Sequence, residues 1–245
     1  MDRESRYGRT GKAYFSGSVA GQKRQWQMTD ARSEILQAVR SSLDLGEQRS
    51  ASRVALVEKR ISASEAHVQP LVEDPLIQQF CDKHAAVHGT YERVAGLTEV
   101  PSAILRHLTA KEIPIELLVG QGELLDAVLW PSDMSVEKRP ATVDDSVAIS
   151  EAYAGIAETG TLVLLSGEKR WTSHNFLPDD HIIILDSTLI VRHQEDIWTR
   201  LRALPDGLPR VVNLITGPSK TADVEQTVQY GAHGPRRLHL IVVEG

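Results

Sequence analysis

A stretch of polar and titratable side chains directly follows an apolar, strand-like run near the C-terminus. The run covers residues 210–216, and the stretch after it holds Gly217, Ser219, Lys220, Thr221, Asp223 and Glu225. Ligands of open α/β sheets bind beyond the carboxyl ends of the strands. Ser219 or Thr221 can cap a following helix, whose first N–H groups attract anions, and Lys220 adds positive charge there. We therefore expect a binding site for a small anionic ligand, unless the stretch is only a well-capped connection.

The acidic residues of this stretch limit which anion fits. Asp223 and Glu225 favour a helix dipole in a first turn, but they repel a highly charged ligand. They would instead accept hydrogen bonds from ligand hydroxyl groups, as the acidic residue of dinucleotide sites does. A compact carboxylate, or a ligand with both anionic and hydroxyl groups, is favoured over a polyphosphate.

A histidine between small residues follows shortly afterwards. His233 lies between Gly231 and Gly234, where a core position is not expected, so we predict that it faces a cleft or solvent. There it would donate a proton or a hydrogen bond. The alternative is a helix that ends at Gly231, followed by a plain turn into the last strand.

A carboxylate precedes the strand-like run 162–165. Glu158 is followed by Thr159, Gly160 and Thr161, and the glycine indicates a turn or a close backbone approach. Glu158 at the mouth of a strand suits a general base, a nucleophile or a hydroxyl acceptor, and also a simple salt bridge. Glu158 and His233 are the candidate catalytic residues, and Thr159, Gly160, Thr161 and Gly234 are candidate ligand contacts.

A polar and aromatic loop, residues 171–175, lies between two strand-like runs and suits a lid or a ligand wall. Its His174 is a candidate ligand contact. The spacing between His174 and His181 fits no metal motif, and no metal site is predicted. The other histidines are expected mainly on surface faces, namely His67, His84, His88, His107, His193 and His239.

Composition restricts the class of protein. The 245 residues have a net charge of −6 and 41% hydrophobic residues, which is ordinary for a globular protein and argues against nucleic-acid binding. The single cysteine, Cys81, cannot form a disulfide within the chain or hold an iron–sulfur cluster, and we expect it to be buried. Phosphate-loop, dinucleotide-loop and nucleophile-elbow motifs are absent from the sequence.

The order of elements predicts an α/β fold. Strand-like and helical segments alternate, which indicates a mostly parallel, Rossmann-like sheet with helices on both faces. We expect residues 1–27 to be a disordered extension, with Met28 as the start of the natural chain. Residues 28–70 are expected to form a helical segment and linker, and residues 71–245 the α/β domain. Specific predictions include a helix that Asp74 caps, a strand over 124–130 and a helix over 222–230.

Four segments in chain order resemble the LUD domain of lactate-utilisation protein C. They are residues 157–161, 181–184, 217–225 and 231–237, and the resemblance is densest from Ser146 to the C-terminus. It implies a fold akin to the ribose-phosphate isomerase and CoA-transferase superfamily. It also implies a bacterial, cytoplasmic subunit that serves oxidation of L-lactate to pyruvate. Iron–sulfur clusters would then belong to partner subunits, and this chain would bind no cofactor of its own.

Two other functions stay open at this point. The Glu158-Thr159-Gly160 segment has the Glu-x-Gly form of the catalytic segment in CoA-transferases, an analogy at the level of fold. The chain would then be a free-standing enzyme for CoA esters or sugar phosphates. A scaffold without chemistry is the third alternative.

Overall fold

The structure, a computed structural model, describes residues 28–43, 51–62, 69–221 and 229–245. The chain divides into two units, residues 1–65 and 66–245. The predicted extension over residues 1–27 lies outside the described residues. The first unit contains helices α1 (Met28–Leu43) and α2 (Ala51–Ser62), and α2 has no buried residue. Both helices lie within residues 28–70, where a helical segment was expected.

A six-stranded parallel sheet is the centre of the second unit. Its order is β1-β12-β7-β4-β2-β3, and every neighbouring pair is parallel. The strands are β1 (Thr90–Val94), β2 (Glu116–Val119), β3 (Ser135–Glu137), β4 (Val147–Glu151), β7 (Asp180–Asp186) and β12 (Arg237–Val243). This confirms the predicted α/β fold with a mostly parallel sheet. Strand β7 reads as an unbroken apolar run because helices or a second sheet cover both of its faces.

A second sheet of four strands has the order β8-β5-β6-β9. Its strands are β5 (Ala154–Ile156), β6 (Thr161–Leu165), β8 (Ile190–Val191) and β9 (Val212–Ile215), and β6 is antiparallel to both β5 and β9. Strand β9, the predicted run before Gly217, thus lies in this second sheet and not in the parallel one. Its residues are half-buried or exposed, as suits a sheet edge and not a strand covered on both faces.

Helices and the second sheet enclose the parallel sheet. The helices are α3 (Leu76–Ala86), α4 (Val100–Ala110), α5 (Glu123–Ala127) and α6 (Gln194–Arg202). Helix α4 packs Ile104 against Ile182 on one face of the sheet, whereas α3 and β6 pack Phe80 and Leu164 against Ile183 on the other face. Helix α6 covers the far side of the second sheet. No helix in the described ranges is long and apolar enough to cross a membrane.

Three local predictions are wrong. The run 124–130 contains helix α5, because it has good helix-forming residues and the Glu151 carboxylate accepts hydrogen bonds from its first turn. Asp74 does not cap α3, since its carboxylate binds Arg192 at 2.8 Å. Residues 220–221 and 229–230 form antiparallel strands β10 (Lys220–Thr221) and β11 (Gln229–Tyr230), so the predicted helix is absent at its C-terminal end.

Candidate functional site

Hydrogen bonds join the loop after β9 to the loop before β12. The Ser219 N–H donates to the Pro235 carbonyl at 2.9 Å, and the Gly231 N–H donates to the Ser219 carbonyl at 2.9 Å. The His233 N–H also donates to Ser219 Oγ at 3.3 Å. The two motifs therefore lie side by side, and the roles of their residues stay predictions.

A cavity of about 210 Å³ lies against these two loops. Three of the predicted ligand contacts line it, Gly217, Ser219 and Gly234, together with the candidate catalytic residue His233. Polar and apolar residues complete the wall. The polar ones are Asn175, His181 and Thr216, and the apolar ones are Phe176, Leu214, Ile215, Pro218, Pro235 and Leu238. Because the wall combines hydrogen-bonding groups with apolar surface, it suits a small, partly apolar ligand. We call it the Ser219–His233 cavity.

The helix start that was expected to attract an anion is not where the sequence placed it. Lys220 and Thr221 pair with Tyr230 and Gln229 in the β10–β11 hairpin. Their N–H groups belong to strand geometry and not to a first helical turn. Lys220 remains exposed and directly follows the lining residue Ser219 in the chain. Asp223 and Glu225 lie outside the described residues.

Glu158 pairs with a histidine that the sequence did not connect to it, His193. Its Oε2 lies 2.8 Å from Nδ1 of His193, and both side chains are only 13% exposed. It does not line the Ser219–His233 cavity. The two candidate catalytic residues, Glu158 and His233, therefore do not line the same cavity. His193 was expected on a surface face, but it is largely buried and pairs with Glu158.

Threonine hydroxyls connect the Glu158 segment to the cavity. Thr159 Oγ1 lies 2.7 Å from Thr161 Oγ1, which lies 2.7 Å from Thr216 Oγ1. Thr216 lines the cavity. Thr159 and Thr161, two predicted ligand contacts, do not line it and lie behind Thr216. A hydroxyl chain of this kind fixes side-chain orientation at the mouth of β6 and β9.

Two predicted ligand glycines have a packing role. Gly160 and Gly217 have φ values of 68° and 80°, in the region that favours glycine. A Cβ at Gly160 would overlap the backbone of His84, and a Cβ at Gly217 would overlap the Val87 carbonyl. The end of α3 therefore lies directly on both turns, and this contact explains the two glycines without a ligand.

His174 lies at a different part of the sheet, in a crevice that the sequence did not reveal. The chain leaves β2 towards β3 on one side and leaves β4 towards β7 on the other, which makes this the topological switch point. Gly120 follows β2, Glu151 ends β4, and both line the crevice together with His174. Its volume is about 20 Å³, close to the room that one water needs. The sequence analysis did not identify Glu151, although an acidic residue at the end of a buried strand could have indicated it.

The imidazole of His174 is held neutral. Its Nε2 lies 2.8 Å from the Arg139 carbonyl, so Nε2 bears the proton. Burial lowers the pKa of His174. Burial also lowers the pKa of His181 to about 3; its Nε2 lies 2.9 Å from Ser150 Oγ and its Nδ1 has no hydrogen-bond partner. His181 therefore presents a neutral ring to the cavity wall.

Three histidines expected on surface faces are buried instead: His84, His107 and His239. The rings of His107 and His239 stack with centroids 4.0 Å apart, and His107 Nε2 lies 3.6 Å from Asp180 Oδ1. Burial lowers the pKa of His239 to about 3. Cys81 is buried as expected, and burial raises its pKa to about 11. Within the described ranges, no group of three or more His, Cys, Asp or Glu residues could hold a metal ion.

A family model of the LUD domain matches residues 77–243, and the chain belongs to this family. An uncharacterized protein of Neisseria meningitidis serogroup B is 30% identical over 142 residues, which are 54% of this chain and 61% of that protein. Lactate utilization protein C of Halalkalibacterium halodurans is 38% identical over 101 residues, 40% of this chain and 44% of that protein. Lactate utilization protein C of Macrococcus caseolyticus is 31% identical over 125 residues, 50% of this chain and 54% of that protein. The matched part of the chain thus spans about half the length of these relatives.

A solved structure has the same fold. It is a crystal structure of a DUF162 family protein from Deinococcus radiodurans, with a TM-score of 0.53 and 24% identity. The similarity covers 71% of this chain and 99% of that one. At this identity it supports the fold of the second unit alone.

Proposed function

We propose that this chain is the non-cluster subunit of a lactate-utilisation system that oxidises L-lactate to pyruvate. Membership of the LUD family supports the pathway, together with relatives whose name is lactate utilization protein C. Oxidation of a hydroxy acid releases two electrons, which need an acceptor. The single buried Cys81, with its raised pKa, is a poor cluster ligand because ligation needs a thiolate. Partner subunits with iron–sulfur clusters would accept the electrons.

The Ser219–His233 cavity is the proposed site for the small acid. Exposed His233 and half-buried Ser219 offer hydrogen bonds to a carboxylate or hydroxyl group, while Lys220 adds a positive charge nearby. Leu214, Ile215 and Leu238 would contact a methyl group. The cavity of about 210 Å³ has room for a three-carbon acid. The observation that supports this site most is the hydrogen bonding that brings Ser219 and His233 to one wall.

Calorimetric titration of the full chain with L-lactate and with pyruvate tests the ligand. Ser219→Ala should weaken binding about tenfold, because a hydrogen bond to a charged group contributes about 1.5 kcal/mol or more. Ser102→Ala, on an exposed face of α4, is the matched control and should bind as the parent does. If neither acid binds, or if Ser219→Ala binds as tightly as the control, the cavity is not the site.

Co-purification tests the partners. A tagged chain expressed from its own locus should retain proteins that contain iron–sulfur clusters, recognised by their visible absorption. The preparation should reduce a dye when L-lactate is added. Capture without cluster absorption, in cells that grow on lactate, would contradict the proposed assembly.

The Glu158–His193 pair favours a second candidate function, a free-standing enzyme for CoA esters. The Glu158 carboxylate would attack the thioester carbonyl, an acyl-glutamyl anhydride would form, and CoA would leave as the thiolate. His193, 2.8 Å away, would position the carboxylate. Incubation with acetyl-CoA followed by mass measurement of the peptide that contains Glu158 tests this step. The buffer must contain no hydroxylamine, and the CoA ester must remain intact. If the peptide is unmodified under these conditions, the covalent reaction is excluded.

A further inference from the structure

A second cavity, of about 280 Å³, lies on the other side of Pro218 and Leu238, which line both cavities. The remaining lining residues come from the start of β1 and the turn before it, from α4 and its end, and from the stretch between the end of β11 and the start of β12. They are His88, Thr90, His107, Lys111, Tyr230, Arg236 and Arg237. Neither Glu158 nor His233 is among them, so this cavity is separate from the proposed lactate site.

The walls of this second cavity are strongly basic. Lys111, Arg236 and Arg237 are cations at neutral pH, and no Asp or Glu occurs among its lining residues. The whole chain has a net charge of −6, so the charge of the residues that line this cavity is opposite in sign to that of the protein as a whole. Asp180, which is buried outside this lining, already accepts two hydrogen bonds from Arg237. Arg237 Nη1 is not used in that pair and remains available to a ligand.

Neutral groups complete a set of donors around the cations. Tyr230 contributes a phenol, and its ring packs edge-on against His88 with centroids 6.1 Å apart. His107 is buried, and its Nε2 has no hydrogen-bond partner, the Asp180 carboxylate being 3.6 Å away. A buried polar atom without a partner costs free energy unless water or a ligand supplies one.

We propose that this cavity binds the phosphate group of a small phosphorylated molecule. Lys111 and Arg236 are two cations without an acidic partner among the described residues, and they match a dianion better than a monocarboxylate. Guanidinium groups bind phosphate oxygens in a two-pronged geometry. The volume exceeds what one phosphate fills, so an organic body would share the cavity. This site goes beyond the proposed lactate function and does not depend on it.

Titration of the full chain with inorganic phosphate, with pyrophosphate and with acetate tests the proposal. The two phosphate probes should bind, and acetate should bind at least about tenfold more weakly because it has a single charge. Arg236→Gln and Lys111→Gln should each weaken phosphate binding about tenfold, since each removes a charge-assisted hydrogen bond. Both side chains are exposed, so the variants should fold. Lys169→Gln, an exposed lysine outside this cavity, is the matched control.

Three results would overturn the proposal. The first is that neither phosphate probe binds at concentrations up to about 10 mM. The second is that acetate binds as tightly as phosphate. The third is that Arg236→Gln and Lys169→Gln have equal affinities for phosphate. If Ser219→Ala loses lactate binding but keeps phosphate binding, the two sites are independent, and each proposal can be rejected without the other.

Discussion

Asp180 and Arg237 are the first residues of two neighbouring parallel strands, and they pair across them. Arg237 Nε donates to Asp180 Oδ1 at 2.7 Å, and Nη2 donates to the other carboxylate oxygen. Asp180 is 1% exposed, whereas the Arg237 side chain is 35% exposed. Burial alone would raise the pKa of Asp180, but His107 and Arg237 outweigh it and hold the pKa below its usual value. The pair therefore fixes the amino ends of β7 and β12, beside the basic cavity.

Asp180→Asn should lower the free energy of unfolding by about 2 kcal/mol, because it leaves Arg237 without its charged partner in a largely buried pair. Chemical denaturation at neutral pH measures this. The contribution of the carboxylate is present above the pKa of an unfolded aspartate and is lost as the pH falls through the lower folded pKa. Glu92→Gln, which breaks an exposed pair with Arg106, should leave stability nearly unchanged. Equal effects of the two substitutions would contradict this account.

Gly160→Ala should destabilise the second unit by about 3 kcal/mol, because it combines an unfavourable φ with overlap against the α3 backbone. Gly207→Ala is the matched control, since its φ of 75° is similar but no atom lies within 4 Å of the added Cβ. The control should cost about 1 kcal/mol. Thermal unfolding of both variants measures the difference, and similar costs would show that the contact with α3 does not matter.

The neutral burial of His181 should make stability depend on pH. Its folded pKa is about 3, below the ordinary histidine value of 6.5, so the unfolded state binds more protons between these pH values. Stability is therefore highest above pH 6.5 and falls on acidification towards pH 3. His181→Gln should reduce the slope by up to about 1.4 kcal/mol per pH unit. Ser150→Ala keeps the titrating ring and should keep the slope; an unchanged slope in His181→Gln would contradict the assignment.

Cys81 should be nearly inert in the folded chain. Burial raises its pKa to about 11, and the thiolate is the reactive form. Iodoacetamide at pH about 8 should modify the native thiol at least about 100-fold more slowly than the urea-unfolded one. Mass spectrometry of quenched samples gives both rates. Rapid modification of the native chain would show that the thiol is accessible and would reopen a ligating or redox role.

Local pattern was sufficient for some parts of the fold and not for others. The unbroken apolar run of β7 predicted a strand buried on both faces, because that environment selects such a run. The similar run of β9 gave no sign of its antiparallel partner β6, since pairing direction depends on residues about fifty positions away in the chain. Helix α5 was missed for a related reason, because Glu151, far along the chain, binds its first turn.

The candidate site shows the same division. Ser219 and His233 are only 14 positions apart, so a short connection is enough to bring them together. The sequence predicted a helix there and did not reveal the β10–β11 hairpin. Glu158 and His193 are 35 positions apart and meet only because β5 and β8 pair. Burial of His107 and His239 also depends on stacking between α4 and β12, which no local pattern contains.

Formation of pyruvate from L-lactate in cell extracts tests the central claim most directly. Extract from cells that lack this chain should make no pyruvate from added L-lactate, and purified chain should restore the activity. The His233→Ala variant should restore less of it than the parent, while the Lys169→Gln control should restore all of it. If extract without the chain forms pyruvate at the parental rate, the proposed role in lactate oxidation is wrong.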